Sequence, residues 1–328
     1  MCYYPITAYR SAKANHNGKY PLVFDKKQST GMPLQVPCGH CLECRLKKAK
    51  MWSMRCVHEA KYHKASCFLT LTYDEDHVPY NNGIKTLEYK DVQLFMKRLR
   101  KELDKQGIKV RYFCSAEYGD GKRDEKGRLI GTKPKYRPHY HMILYGFSPD
   151  DIKFFDNSYS GLPIYRSKFL EEKWKCGMVF VGTVTEMSAG YVARYTLEKF
   201  AQKEEGFYDY REKEAIRMSR RNGIGYNWIV DNFENVAQVG FIVIDNIKHA
   251  IPRFYRNVIE KLNPFRAWLL KRRLVKLAKK KYKELLRLYG DSINLHYRRM
   301  AQEEYRRIAV KRLKRRLFED KNILPSLC

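Results

Sequence analysis

Acidic residues are what this chain is short of. Its 328 residues carry 36 Asp and Glu against 65 Lys and Arg, a formal charge of +29. Such a deficit says nothing about fold, but it points to a polyanionic partner, most simply nucleic acid. A long hydrophobic run is also missing. The opening "MCYYPITAYR" has no apolar stretch of signal-peptide length, and the most apolar late run, "VGFIVI", is far too short to span a bilayer. A cytoplasmic chain with no membrane partner is therefore expected. Cysteines number nine, an odd count that suits a secreted disulfide framework badly. Repeats of solenoid period are absent. Apolar residues are not scarce: at 44% they support one large domain or two ordinary ones with a real core. The 25 tyrosines include rings that could stack on bases, although most tyrosines pack in cores.

Residues 1–65 read as an irregular, cysteine-rich segment that turns basic and helical from "CRLKKAKMW". In "CFLTLTYD", Cys67, Leu69, Leu71 and Tyr73 alternate with Phe68, Thr70 and Thr72, which predicts a strand. Residues 87–106 predict an amphipathic helix with Val92, Phe95, Leu99 and Leu103 on one face and Gly107 as its stop. "VRYFCSAEYG" and "YRPHYHMILYG" read as two strands joined by a long polar loop. A short helix at "KFLEEKWK", a strand at "GMVFVGTVTE" and a helix carrying "GYVARYTLEKF", capped by Ser188, complete a core over 66–203. This order suits an α+β fold in which helices flank an antiparallel sheet of split-βαβ type. Beyond it, 204–260 reads as a basic extension. A helical tail follows over 261–328, its stretch 261–320 holding 20 Lys or Arg against 6 Asp or Glu.

Histidine is scarce, nine in the chain, yet "RPHYHMILYG" spends two of them one residue apart. In a strand, i and i+2 share a face, so His139 and His141 project together while Tyr140 and Met142 face the other way. Chance alone supplies a His-x-His in roughly one such chain in four, so the pair needs a third ligand. Antiparallel pairing of the neighbouring strand would bring Glu117 beside it, on the face of Phe113 and Ser115. Two imidazoles and a carboxylate leave coordination positions open for phosphate oxygens. Tyr191 and Tyr195, four apart on the next helix, offer two hydroxyls on one face. With so many tyrosines that spacing alone carries no weight; its place directly after the sheet does.

In combination these segments resemble the HUH endonucleases. "RPHYHMILYG" resembles their His-hydrophobe-His motif, "FLTLTYD" their first strand motif, "CSAEYG" the segment with the acidic ligand and "YVARY" their paired tyrosines. With "MCYYP", "PCGHCLECR" and "SRRNGIG" added, the chain over roughly 1–260 is similar to the replication initiators of microviruses, particularly the gokushovirus group. The resemblance implies a Rep/relaxase-like sheet holding Mg²⁺ or Mn²⁺ at Glu117, His139 and His141. It also implies attack by Tyr191 or Tyr195 on single-stranded or supercoiled origin DNA in a host bacterial cytoplasm, with a host helicase and polymerase as partners. The product would be a 5′-phosphotyrosyl link, later rejoined in rolling-circle replication. Arg194 falls where many relatives carry lysine, and Lys199 lies one turn past Tyr195; either could steady phosphate charge, though a solvated cation is the plainer reading of Lys199.

Cys38, Cys41 and Cys44 stand at Cys-x2-Cys-x2-Cys spacing, a pattern that composition alone yields well under about once in a hundred such chains. It suits structural zinc, with an iron–sulfur cluster as the alternative. Similar initiators begin Met-Cys, which makes Cys2 the choice for fourth ligand over His40 and Cys56. Cys67, Cys114 and Cys176 read as core. In "SRRNGIG", Arg220 and Arg221 beside Gly223 and Gly225 suit either a backbone approach to DNA phosphate or a plain turn. The rival functions are a non-catalytic single-strand-binding module, which would not need Glu117, His139 and His141 together, and a relaxase. Relaxases usually place the nucleophile before the histidines, whereas here the tyrosines follow them.

Overall fold

The computed structural model describes residues 2–16, 18, 20–119, 136–157, 162–184, 206–244, 246–290, 297–305 and 308. Tyr191, Arg194, Tyr195 and Lys199, the Ser188 cap and the polar loop after Gly119 all lie outside the described residues.

Strand β4 (Ser66–Thr72) alternates half-buried and buried side chains along its length, as its sequence pattern predicts. After it, a small hairpin of β5 (Tyr80–Asn81) and β6 (Ile84–Lys85) leads into α2 (Tyr89–Asp104). The Glu88 carboxylate caps α2 by accepting from Lys90 N–H at 2.9 Å, and Gly107, at φ +71°, follows its end. Val92, Phe95, Met96, Leu99 and Leu103 form the buried stripe. Then come β7 (Arg111–Gly119), β8 (Arg137–Tyr145), β9 (Ile152–Asn157), β10 (Pro163–Ser167), α3 (Lys168–Trp174), β11 (Val179–Thr183) and β12 (Ile216–Met218).

These build one antiparallel sheet in the order β12-β7-β8-β4-β11-β10-β9, with β8 near its centre. Its two faces have different jobs. Leu69, Leu71, Cys114, Tyr140, Met142 and Val179 pack on α2 and α3 in the main core. On the opposite face Phe113, Ile143 and Tyr145 pack against Trp52 and Cys56, which belong to α1 (Leu42–Ala60).

From Met51 to Ala60 no residue of α1 is exposed, although it includes Arg55, His58 and Glu59. The reason is a second core on its other side. Met54 joins α4 (Tyr226–Val239), the hairpin β13 (Ile242–Ile244) and β14 (Ile247–His249), α5 (Arg253–Leu262) and Leu270 of α6 (Pro264–Tyr289). The Arg55 guanidinium is sandwiched between Trp52 and Phe254, 4.1 and 4.0 Å from their ring centres, and its Nε donates to the Ile224 carbonyl at 2.9 Å. "IPRFYRNVI" thereby gains a role: Tyr255 Oη meets His58 Nδ1 at 2.9 Å, and Trp228 stacks on the His58 ring.

Three parts of the architecture depart from the sequence expectation. The irregular opening contains a three-stranded antiparallel sheet, β2 (Leu22–Val23), β1 (Ile6–Ser11) and β3 (Ser29–Val36) in that order. Strands β9 and β10 extend the main sheet where none was expected, and an ordered helical unit follows residue 225. The strands escaped notice for one physical reason: β3 and β9 are exposed along nearly their whole length, so no burial imposes a period of two.

Candidate functional site

The β7–β8 ladder sets Glu117 opposite His139 and Ser115 opposite His141. On the other edge of β8, Thr70 lies opposite His141 and Thr72 opposite His139. Side chains directly opposite in antiparallel strands share a face, so two histidines, one carboxylate and three hydroxyl residues gather on the α1 side of the sheet. All three candidate ligands are nearly sealed from solvent: His139 is 2% exposed, Glu117 5% and His141 6%.

The two Nε2 atoms lie 3.2 Å apart, and Glu117 Oε2 is 3.9 Å from that of His139 and 3.6 Å from that of His141. Each Nδ1 already has a partner. His139 Nδ1 faces the Arg137 carbonyl at 3.2 Å, and His141 Nδ1 faces Thr70 Oγ1 at 3.1 Å. A carbonyl only accepts, so His139 carries its proton on Nδ1 and turns the Nε2 lone pair toward His141. Two imidazole nitrogens bound to one ion at about 2.1 Å sit about 3–3.4 Å apart, the spacing found here. The donor set therefore fits a divalent cation, and the Nδ1 partners supply the outer hydrogen bonds that orient metal-binding imidazoles. The Phe68 ring stacks on His141 with centroids 5.7 Å apart.

Sequence reasoning overlooked the residues that aim these ligands. Arg137, whose carbonyl orients His139, has its own guanidinium fixed, with Nη2 donating to the Tyr73 carbonyl at 2.6 Å and Nη1 paired with Glu75. Tyr140, between the two histidines, is fully buried on the other face of the sheet. Its hydroxyl accepts from Glu88 N–H at 2.9 Å and donates to the Glu88 carbonyl at 2.8 Å. The available signal was the polar handle on an aromatic residue in an inward position, which needs a buried partner.

A second group of potential ligands lies at the start of the chain. Cys2, Cys38, Cys41 and Cys44 gather with all sulfurs within 4.8 Å of one another. Cys2 Sγ is 3.5 Å from that of Cys38 and 3.8 Å from that of Cys41. Four thiolates at about 2.3 Å from a tetrahedral ion stand about 3.8 Å apart. Burial opposes ionisation of Cys41, but N–H groups of Tyr3 and Cys44 outweigh it and bring the thiol down to about 7. His40 is outside this group, and Cys56 is buried against the sheet with Phe113 and Tyr145. Cys67 and Cys114 are core residues at 2% exposure each, and Cys176 packs half-buried at the core's edge.

The "SRRNGIG" segment leaves Arg220 and Arg221 exposed. Its glycines are explained by packing within the chain. A Cβ on Gly225, at φ +77°, would lie 2.4 Å from Tyr255 Oη, and one on Gly223 would lie 2.8 Å from the Phe254 ring. The loop is tied to the sheet through Arg111, which donates from Nη1 to the Arg221 carbonyl at 2.8 Å, and through Nη2 to the Asn222 carbonyl. Arg111 Nε also pairs with Glu59 at 2.5 Å, and Glu59 accepts from Gly225 N–H at 2.6 Å. Burial favours the protonated form of Glu59, yet hydrogen bonds from His63 and Gly225 and the Arg111 charge hold its carboxyl below the usual range.

Such a sheet, with a buried Glu-His-His group on one face and a four-cysteine group upstream, defines a class. Residues 66–200 match the family model for replication-associated proteins of the ORF2 type. Replication-associated protein VP4 of Bdellovibrio phage phiMH2K is 32% identical over 284 residues, 84% of either chain. ORF4 of Chlamydia phage 1 is 30% identical over 69% of this chain and 54% of its own length, and ORF2 of Spiroplasma virus 4 is 31% identical over 69% and 68%. The chain belongs to the gokushovirus-type replication-associated proteins of microviruses. No solved structure matches it.

Proposed function

We propose that this replication-associated protein is an HUH-type nickase that initiates rolling-circle replication on its phage origin. The observation that carries the reading is the convergence of both Nε2 atoms and the Glu117 carboxylate in one buried pocket on the central strand. Glu117, His139 and His141 would hold Mg²⁺ or Mn²⁺, and a bound divalent cation supplies Lewis-acid polarisation of a phosphate oxygen. Thr70 and the Arg137 carbonyl keep the imidazoles aimed. Tyr191 or Tyr195 loses its phenolic proton, and its oxygen forms a bond to phosphorus as the bond to the 3′-oxygen breaks. The departing 3′-oxygen takes up a proton and is left as a hydroxyl that a host polymerase can extend. The 5′ end stays on tyrosine, so the ester energy is conserved and rejoining needs no nucleotide hydrolysis. Two tyrosines let one hold the first end while the other cuts the regenerated origin. Arg194, and with less force Lys199, would steady phosphate charge, and Arg220 and Arg221 would contact backbone phosphate. A host helicase and the host cytoplasm complete the reading. The cysteine group would hold a structural Zn²⁺.

The test is incubation with labelled single-stranded origin DNA and Mn²⁺ or Mg²⁺, read on a denaturing gel. A metal-dependent covalent adduct is expected, lost only when Tyr191→Phe and Tyr195→Phe are combined. DNA binding without any adduct, across candidate origins and both metals, would leave a non-catalytic single-strand-binding module.

A further inference from the structure

Helix α6 makes little use of its sequence for packing. Ala267, Leu270 and Leu274 face the second core, and from Val275 to Glu284 every residue is exposed. Across its 26 residues it carries ten Lys or Arg and a single acid, Glu284. Among the described residues none of those ten cations forms an ion pair. Lys276–Lys280 and Lys279–Lys283 are like-charge pairs at i,i+4, each of which weakens a helix. A helix that keeps such repulsion fits a polyanion that relieves it.

At 100° per residue the stripe Phe265, Trp268, Arg272, Lys276, Lys279 and Lys283 lies roughly opposite the packed face. Its first three members form a ladder of flat groups. Phe265 and Trp268 stack with centroids 6.0 Å apart at 21°, and the Arg272 guanidinium lies 4.6 Å above the Trp268 ring. Phe265 is 65% exposed and Trp268 48%, so neither ring is part of the core. Aromatic rings in line with cations are the means by which proteins hold unpaired bases and their phosphates together. Duplex DNA would satisfy the lysines and leave the rings idle. A membrane surface would want a continuous apolar face, yet the exposed Leu269, Val275 and Leu277 are scattered around the helix.

We infer that this stripe is a second, sequence-independent site for single-stranded DNA, remote in sequence from the Glu117, His139 and His141 group. It goes beyond the nicking reading, because it needs neither metal nor tyrosine. It would retain a strand while the nicking site is empty.

The experiment is fluorescence anisotropy of the full-length protein with labelled oligo-dT lacking any origin sequence, a duplex of equal length, and anionic phospholipid vesicles. Trp268→Ala should weaken oligo-dT binding about ten-fold and change duplex binding less than about two-fold, with Trp268→Phe restoring most of the loss. Combining Lys276→Gln, Lys279→Gln and Lys283→Gln should weaken both nucleic acids and flatten the single-strand salt slope by about 2. Trp268 touches none of the second core's buried residues, and a circular dichroism spectrum matching the unmodified protein verifies the fold. Equal oligo-dT affinity in Trp268→Ala would overturn the proposal, as would tight vesicle binding without single-strand binding. An active nickase that fails here loses only this inference, and an inactive one that passes loses only the nicking reading.

Discussion

Tyr140 and Glu88 hold each other twice: the tyrosine hydroxyl receives the Glu88 N–H and returns a hydrogen bond to the Glu88 carbonyl. Tyr73 adds a third contact, 3.2 Å from Tyr140 Oη, and itself donates to Asp91 at 2.7 Å. The strand that carries both histidines is thus pinned from behind to the start of α2. Tyr140→Phe should cost about 1–3 kcal/mol, since it strands two buried backbone groups. Urea denaturation measures that cost. Adduct formation should fall as well, with no change at any candidate ligand; a variant as stable and active as the parent would show that the pin does not matter.

Stability should climb with pH through the mildly acidic range because of His58. Burial, helped by the nearby Lys61 charge, pushes this imidazole down to about 3, so it is neutral when folded and protonates near its ordinary value when unfolded. Between roughly pH 3 and 6.5 the unfolded chain binds the extra proton. The contribution is whole above about 6.5 and drains away as pH falls, on the order of 1 kcal/mol per pH unit. Denaturation midpoints at pH 7 and pH 5 measure the slope. His58→Gln should flatten it whatever else it does to stability.

Gly225→Ala should be among the most damaging single-methyl additions available. It combines a positive φ with a Cβ 2.4 Å from Tyr255 Oη, and a loss of about 3 kcal/mol or more is expected. Gly39 is the comparison: its φ is +80°, but nothing lies within 4 Å of an added Cβ, so only about 1 kcal/mol should go. Adding Tyr255→Phe should recover part of the Gly225→Ala loss. Additive losses in thermal melts would argue against a clash.

Glu59 ties α1 to β7 and to the loop before α4 through Arg111 and Gly225. Glu59→Ala strips a buried hub and should cost roughly 3 kcal/mol, whereas Glu59→Gln keeps one acceptor and should cost less. Chemical denaturation of the two variants would rank them, and the reverse order would refute the hub.

Removing metal should act first at the chain's opening. Purified protein should contain about one zinc per chain, lost in Cys38→Ser by elemental analysis. Limited proteolysis of that variant should then cut before Leu42 while the sheet over 66–183 stays protected. A zinc content unaffected by Cys38→Ser would reject the cysteine site.

The sequence was legible where burial imposes a period. Cys67, Leu69 and Leu71 alternate because one face of β4 is sealed, and α2 shows its stripe for the same reason. The Glu-His-His geometry was legible because strand parity and one hairpin decide which side chains meet. What stayed hidden has specific causes. Arg55, His58 and Glu59 read as a solvated helix face, yet each is buried with aromatic or charged partners far away in the chain. Tyr255 and Gly225 make sense only together, and nothing local in either segment announces the other. Arg137 matters through its carbonyl, an atom every residue has.

Helix α1 begins at the cysteine group, lays Trp52 and Cys56 on the histidine-bearing side of the sheet, and gives Met54 to the helices that follow residue 225. One element of 19 residues, about 28 Å long, is therefore common property of three otherwise separate pieces. Their cooperativity follows. Hydrogen exchange should report a single opening event rather than three, and a fragment ending near residue 203 would expose one flank of α1 along its inner half. The protein has to be made whole before any part of it is finished, which places assembly of its Glu-His-His face late in its own folding.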